Sequence, residues 1–257
     1  MPVALETEGR VAVLTLDRPD RLNALSSDML DDLVARLDEV EADDGVGAAV
    51  VTGAGDKAFS VGADVSLVRE ATPIEARTFA ARGHATADRI EALRTPVVAA
   101  VNGYALGGGC ELALACDVRV ASDRAQIGLP EVTLGIFPGW GGTQRMPRLI
   151  GPGKAKELIL TGRRVGAEEA LALGLVERVH PHEELLDRAV ELAADIAAKP
   201  AWALAAAKAM VNRAGDGDQA GNLARELDLF ALAFATEDQR ECMAAFFEKR
   251  APDFRGR

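Results

Sequence analysis

The chain is short of several things, and each shortage narrows what it does. Its three cysteines (Cys110, Cys116 and Cys242) are odd in number and lack Cys-x-x-Cys spacing, which argues against a disulfide scaffold and a structural zinc site. Aromatic residues make up 4% of 257 residues, so alanine-rich, closely packed helices are favoured over an aromatic-rich β-sandwich. No apolar run reaches the roughly 18 residues of a membrane span, and the N-terminal residues lack the basic-then-apolar pattern of a signal peptide. Positive charge is also short: the formal net charge is −11, against the basic face that nucleic-acid binding requires. What remains is 49% hydrophobic without low-complexity tracts, enough for a large core. A reduced, cytoplasmic globular protein is expected, with neither a nucleic acid nor a membrane as partner.

Periodicity organises the chain. Residues 3–7 and 11–16 flank Glu8-Gly9-Arg10 as a hairpin. Ser26 or Ser27 is placed to cap a helix whose apolar positions Met29, Leu30, Leu33, Val34, Leu37 and Val40 keep helical spacing. Strands are expected at 48–52, 96–101, 118–121 and 176–179, with a helix running to about 93 and another starting at 107. From 154 onward the pattern is mostly helical, with segments near 183–198, 201–212, 220–234 and 237–249. Alternation of strand, loop and helix indicates an α/β core. A soft boundary near Lys199-Pro200 divides a catalytic core (1–199) from a C-terminal helical region (200–257).

Two glycine-rich segments carry the chemistry. Leu106-Gly-Gly-Gly-Cys-Glu111 joins a loop to a helix, where free backbone N–H groups and the helix dipole suit an oxyanion. The Ser60-Val-Gly-Ala-Asp64 turn offers a second set of N–H donors, and two donors on one carbonyl oxygen make an oxyanion hole. Glu111 and Glu131 each lie among small or apolar residues, where poor solvation raises a carboxyl's proton affinity toward neutrality. Taken singly, Glu111 reads more readily as a solvated first-turn acid and Glu131 as an ordinary acid after a proline than as catalytic groups. Other motifs fail. There is no Gly-x-Gly-x-x-Gly, Gly151-Pro-Gly-Lys-Ala is not a phosphate loop, and 58–62 lacks the first glycine of a serine-hydrolase elbow. His180-Pro-His182 reads as a solvated turn rather than a metal site, His84 as a surface residue, and Tyr104 as packing behind the glycine turn.

Together these segments resemble the crotonase superfamily, the enoyl-CoA hydratase/isomerase group. The likeness rests on Arg18-Pro-x-x-x-Asn23-Ala-Leu25, Lys57-Ala-Phe-Ser-Val-Gly-Ala-Asp64, 96–111, Pro130-Glu131, Pro138-Gly-Trp-Gly-Gly-Thr-Gln-Arg145, Leu160-Thr-Gly162 and Glu248-Lys-Arg250. It implies an α/β spiral of ββα repeats, a C-terminal helical region that builds trimers stacked into hexamers, and an acyl-CoA thioester as substrate. It implies no further cofactor and no metal, coenzyme A being part of the substrate. The positions matching the family's thioester donors are Ala63 and Gly108. Hydratases resembling this chain use both glutamates, so Glu111 and Glu131 imply hydration of a trans-2-enoyl-CoA, with Gly139 steadying the water.

The pattern also departs from the family. Ser66 stands where related hydratases often carry a lysine near the CoA phosphates. Arg21, beside Ala24, offers that charge instead, as does Lys249 from an adjacent subunit, with Phe246 on the adenine. Val68 and Trp140 are candidates for the acyl pocket, and Trp140 reads equally as a core residue. An isomerase, a specialised pathway hydratase and a non-catalytic acyl-CoA-binding scaffold are the alternatives.

Overall fold

The structure, a computed structural model, describes residues 2–67 and 69–254. The chain begins with a hairpin, β1 (Val3–Glu8) and β2 (Val11–Leu16). Helix α1 (Ser27–Ala42) follows; Ser26 is its cap, its hydroxyl accepting from the Met29 N–H at 3.3 Å. Five apolar side chains of α1, Met29, Leu30, Leu33, Leu37 and Val40, are buried, each stabilising the fold by about 1.5–3 kcal/mol relative to exposure.

A repeat then runs through the middle of the chain: a long strand, a three-residue strand, a helix. It comprises β3 (Ala48–Gly53), β4 (Ala58–Ser60) and α2 (Pro73–Ala92), then β5 (Val97–Val101), β6 (Tyr104–Leu106) and α3 (Gly108–Ala115). The third round has β7 (Val118–Ser122), β8 (Gln126–Gly128) and a 3-10 turn at Glu131–Leu134. Thr72 opens α2 with a capping box to Glu75, followed by Pro73 in the first turn, a helix start whose donors are satisfied locally. The remainder is α4 (Gly142–Ile150), α5 (Pro152–Thr161), β9 (Val165–Gly166), α6 (Ala167–Leu173), β10 (Arg178–His180), α7 (Leu185–Ala197), α8 (Ala201–Arg213), α9 (Gln219–Ala233) and α10 (Glu237–Glu248).

The long strands form one sheet in the order β1-β2-β3-β5-β7-β10, parallel except for the β1–β2 hairpin. Successive side chains of a strand point to opposite faces, and the two faces bury separate cores. Ala49, Val51, Val97, Ala99 and Val101 face the main core with α1. Ala48, Val50, Val98, Ala100 and Val120 face Leu185, Ala189, Ala193 and Ala197, a stripe of i, i+4 spacing on α7. A parallel sheet covered on both faces reads as continuous hydrophobic runs, which is why 48–53 and 97–101 are legible as buried strands.

The short strands form a second sheet, β4-β6-β8-β9, with β4, β6 and β8 parallel. Periodicity does not disclose it, because three residues are fewer than the alternation needs. The expected strand at 176–179 sits slightly later, at Arg178–His180, while Leu175 and Val176 enter the core. Two amides bind the repeat's turns: Asn23 Nδ2 donates to the Ala54 and Ala58 carbonyls, and Asn102 Nδ2 to those of Gly53 and Gly55. The C-terminal helices join the core through α8, whose Lys208 ammonium pairs with Asp117 at 2.8 Å and donates to the Ile90 and Thr95 carbonyls. No helix among the described residues is long and apolar enough to cross a membrane.

Candidate active site

The second sheet delivers the site. Its three parallel strands end side by side, and each chain segment leaving them carries a candidate: 61–64 after β4, Gly107 and Gly108 after β6, and Pro130-Glu131 after β8. The Gly107 N–H donates to the Gly128 carbonyl at 2.9 Å, tying the second segment to the third. Gly62, at φ +89°, ties the first to the second: a Cβ there would stand 2.7 Å from the Gly108 nitrogen. Only glycine accepts that backbone conformation and that approach together.

Among the described residues, neither predicted donor N–H meets an internal acceptor. Leu25 and Ala63 form an isolated parallel bridge. Its two bonds run from Leu25 N–H to the Gly62 carbonyl and from Asp64 N–H to the Leu25 carbonyl, so the Ala63 N–H takes no part. Gly108 is the first residue of α3, where an N–H has no intrahelical acceptor.

Glu111 lies one turn into α3 and is 2% exposed. Its Oε1 accepts the N–H groups of Trp140 and Gly142, each at 2.8 Å. Burial holds its proton affinity above the ordinary carboxyl value, against the pull of those two N–H groups and of the His84 and Arg145 charges. Glu131 opens the 3-10 turn after β8. Its Oε2 is buried without a hydrogen-bond partner among the described residues, and its Oε1 would lie 3.3 Å from a Cβ on Gly107, the cap of α3. Burial pushes its pKa up to about 7, and the Glu111 carboxylate adds to the rise. One carboxyl is anchored by two N–H groups; the other is poorly solvated with an oxygen to spare. Such a pair gives and takes protons near neutrality.

The remaining predicted residues fall at varied distances from this centre. Gly139 precedes Trp140 in the same loop, and a Cβ there would meet only the Phe137 carbonyl, at 3.9 Å. Trp140 is 6% exposed; its ring lies 2.5 Å from where a Gly108 Cβ would be and meets Phe79 edge-on at 5.4 Å between centroids. Phe79 in turn lines a cavity of about 800 Å³ with Ser66, Leu67, Arg69 and Thr78. Trp140 is thus a core residue that backs the donor segment, one ring removed from the cavity. Val68 lies outside the described residues. Ser66 is exposed and donates to Asp64 Oδ1 at 2.6 Å; Arg21 is exposed at the end of a 3-10 turn, and Ala24 is buried close by. Phe246 and Lys249 are exposed at the end of α10.

Two expectations are corrected. Tyr104 does not pack behind the glycine turn: it is 37% exposed on β6, with the Arg164 guanidinium 5.7 Å from its ring centre. The 180–182 segment is not a fully solvated turn. His182 Nδ1 meets the Ser122 hydroxyl at 3.1 Å and His180 Nε2 is buried, because β10 pairs with β7 there. His84 is exposed, as expected. Among the described residues no cluster of His, Cys, Asp or Glu is arranged to hold a metal ion.

Residues 6–257 match the family model described as Enoyl-CoA hydratase/isomerase. The chain belongs to that family. It is 48% identical to the short-chain-enoyl-CoA hydratase of Clostridium acetobutylicum over 96% of this chain and 95% of that one. It is 46% identical to the crotonyl-CoA hydratase of Syntrophomonas wolfei, over 98% and 97% of the two chains. The crystal structure of an enoyl-CoA hydratase from Bacillus anthracis superposes with a TM-score of 0.97, at 40% identity and with both chains fully covered. The ββα repeats and C-terminal helices are therefore the fold that this family shares.

Arg18, Asn23 and Arg145 stand within the family-like motifs, but their roles are not legible there. Arg18 spans the donor segment, with Nη1 on the Ala24 carbonyl at 2.9 Å and Nη2 on Asp64 at 3.4 Å. Arg145 is 9% exposed and holds the Trp140 carbonyl at 3.0 Å. The only local signal for either was an arginine inside a glycine- or proline-rich motif.

Proposed function

We propose that this family member is an enoyl-CoA hydratase, adding water across the C2=C3 bond of a trans-2-enoyl-CoA to give a 3-hydroxyacyl-CoA. The observation that carries the reading is the pairing of an anchored Glu111 with a poorly solvated Glu131 at the start of the helix that offers the Gly108 N–H. The Ala63 and Gly108 N–H groups receive the thioester oxygen, stabilising the negative charge that develops there. Glu111 takes a proton from water as its oxygen bonds to C3; protonated Glu131 gives its proton to C2. Proton return from Glu111 to Glu131 resets the pair, which titrates as a unit. The open backbone at Gly139 steadies the water.

A short acyl chain suits this reading, supported by the names of the relatives from Clostridium acetobutylicum and Syntrophomonas wolfei. Coenzyme A enters as part of the substrate, along Arg21, Ala24 and Ser66, with Phe246 and Lys249 from a neighbouring copy. A homotrimer, or a dimer of trimers, supplies that copy. Its support is an exposed apolar stripe on α9, Leu223, Leu227, Phe230 and, just beyond, Phe234, together with exposed Phe246 and Phe247. A cytoplasmic location belongs to the same reading, supported by three free thiols. The test is crotonyl-CoA: hydration bleaches the enoyl-thioester absorbance. An enzyme that instead generated this band from a 3-enoyl-CoA, leaving crotonyl-CoA untouched, would be an isomerase, and one that did neither a scaffold.

A further inference from the structure

Glu111 is held by a loop, and the Arg145 side chain reaches back to hold that loop. Both N–H groups on Glu111 Oε1 belong to the 139–142 segment, which contains three glycines and has little stiffness of its own. Arg145, one turn into α4, reaches back over it: Nη1 donates to the Trp140 carbonyl at 3.0 Å. The guanidinium sits so close that a Cβ on Gly141, at φ +106°, would lie 2.1 Å from Nη1. Its other edge is fixed to α2, with Nε and Nη2 donating to the two Glu91 oxygens at 2.8 Å each and Nη2 also to Asp88 at 2.9 Å. Helix α8 reaches this end of α2 too, through Asn212 Nδ2 on the Glu91 carbonyl at 3.1 Å.

We propose that Arg145 is a positioning residue for Glu111. Its bidentate grip on Glu91 leaves one fixed donor on the Trp140 carbonyl, which pins the Trp140–Gly141 peptide and so constrains the two peptides flanking it, whose N–H groups aim at Glu111 Oε1. Glu111 Oε2 is thereby left pointing where water is to be activated. A planar guanidinium does this and an ammonium does not, because only the fork binds a carboxylate with two parallel bonds and still has a donor to spare. This role rests on the hydratase reading for its effect on rate, though not for its effect on Glu111 itself.

The test is a double-mutant cycle between Arg145→Gln and Glu111→Gln, with crotonyl-CoA hydration as the readout. Arg145→Gln is expected to lower kcat about 10–100-fold with KM within about 3-fold, and to cost less than about 3-fold when Glu111 is already Gln. Losses that multiply across the two backgrounds would overturn the proposal. Arg145→Lys keeps the charge beside half-exposed Glu91; it is expected to give a smaller loss with the same non-additivity, and multiplying losses there overturn the proposal equally. A second readout needs no turnover: carbon NMR titration of labelled glutamate follows Glu111, which faces the charges of His84, Arg145 and Glu131. Arg145→Gln is expected to move its midpoint upward, through loss of the cation and of the aimed N–H groups, and Arg145→Lys to move it upward as well while keeping the charge. An unmoved midpoint in Arg145→Lys overturns the positioning role. A wild type that hydrates nothing, yet shows the upward shift in both variants, leaves that role standing and removes the hydratase reading.

Discussion

A Cβ on Gly62 would stand 2.7 Å from the backbone nitrogen of Gly108 and 2.6 Å from the Leu106 carbonyl oxygen. The segments after β4 and β6, which carry Ala63 and Gly108, therefore touch backbone to backbone. Gly62→Ala has to push the segments apart and also to adopt φ +89°, a strain of about 1–3 kcal/mol. Since loss of one oxyanion donor costs about 10²–10³ in rate, Gly62→Ala is expected to reduce kcat for crotonyl-CoA by up to that factor. Steady-state kinetics on a variant that still gives a native circular dichroism spectrum checks it. Full activity would show that the two donors do not share an oxygen.

The glutamate pair predicts losses in kcat rather than in binding. Glu131→Gln and Glu111→Gln keep the shape of the site and remove one proton-transfer group each, so each is expected to lower kcat about 10²–10⁴-fold. Retention of near wild-type hydration by either variant would exclude that residue from the chemistry.

Glu131 also gives stability a pH dependence. Its pKa rises from 4.5 to about 7 on folding, so between those values the folded state binds more protons than the unfolded one. Stability must then fall as pH increases through that window, with the penalty fully present above about pH 7. Glu131→Gln removes the ionisation and is expected to melt at a higher temperature than wild type at about pH 8, with a smaller difference at about pH 5. Melting curves at the two pH values decide; a difference that does not grow with pH contradicts the burial of this carboxyl.

Trp140 joins packing to chemistry. Its ring fills the space beside Gly83 and Gly108, while its N–H binds Glu111. Trp140→Ala is expected to cost about 3–5 kcal/mol in urea unfolding and to lower kcat through the loosened loop. A cost below about 1 kcal/mol would mean that the ring is not the core element its burial describes.

Much of the molecule was legible from residues alone, and the limits are physical. Helix α1 announced itself through a serine cap at 26 or 27 and six apolar positions at helical spacing, five of which are buried, and β3 and β5 through unbroken apolar runs, because both patterns are longer than the period that defines them. Strands β4, β6 and β8 have three residues each, too few for alternation to register. Tyr104 was misplaced for that reason: its strand turns it outward toward Arg164. The donors Ala63 and Gly108 came from a resemblance, since neither side chain carries any chemistry of its own.

The sequence by itself determined the α/β class, the acidic surface charge and the presence of two acids in apolar, glycine-rich settings, for these follow from composition and local spacing. Only the tertiary structure decided that Glu111 is anchored while Glu131 Oε2 goes unpartnered. It alone joined three segments at the ends of neighbouring strands and set Arg145 over the Trp140 carbonyl. Hydrogen bonding at Glu111 depends on a loop 29 and 31 residues further along the chain, and that of Arg145 on acids of α2 54 and 57 residues before it, and no local pattern encodes which partner arrives there.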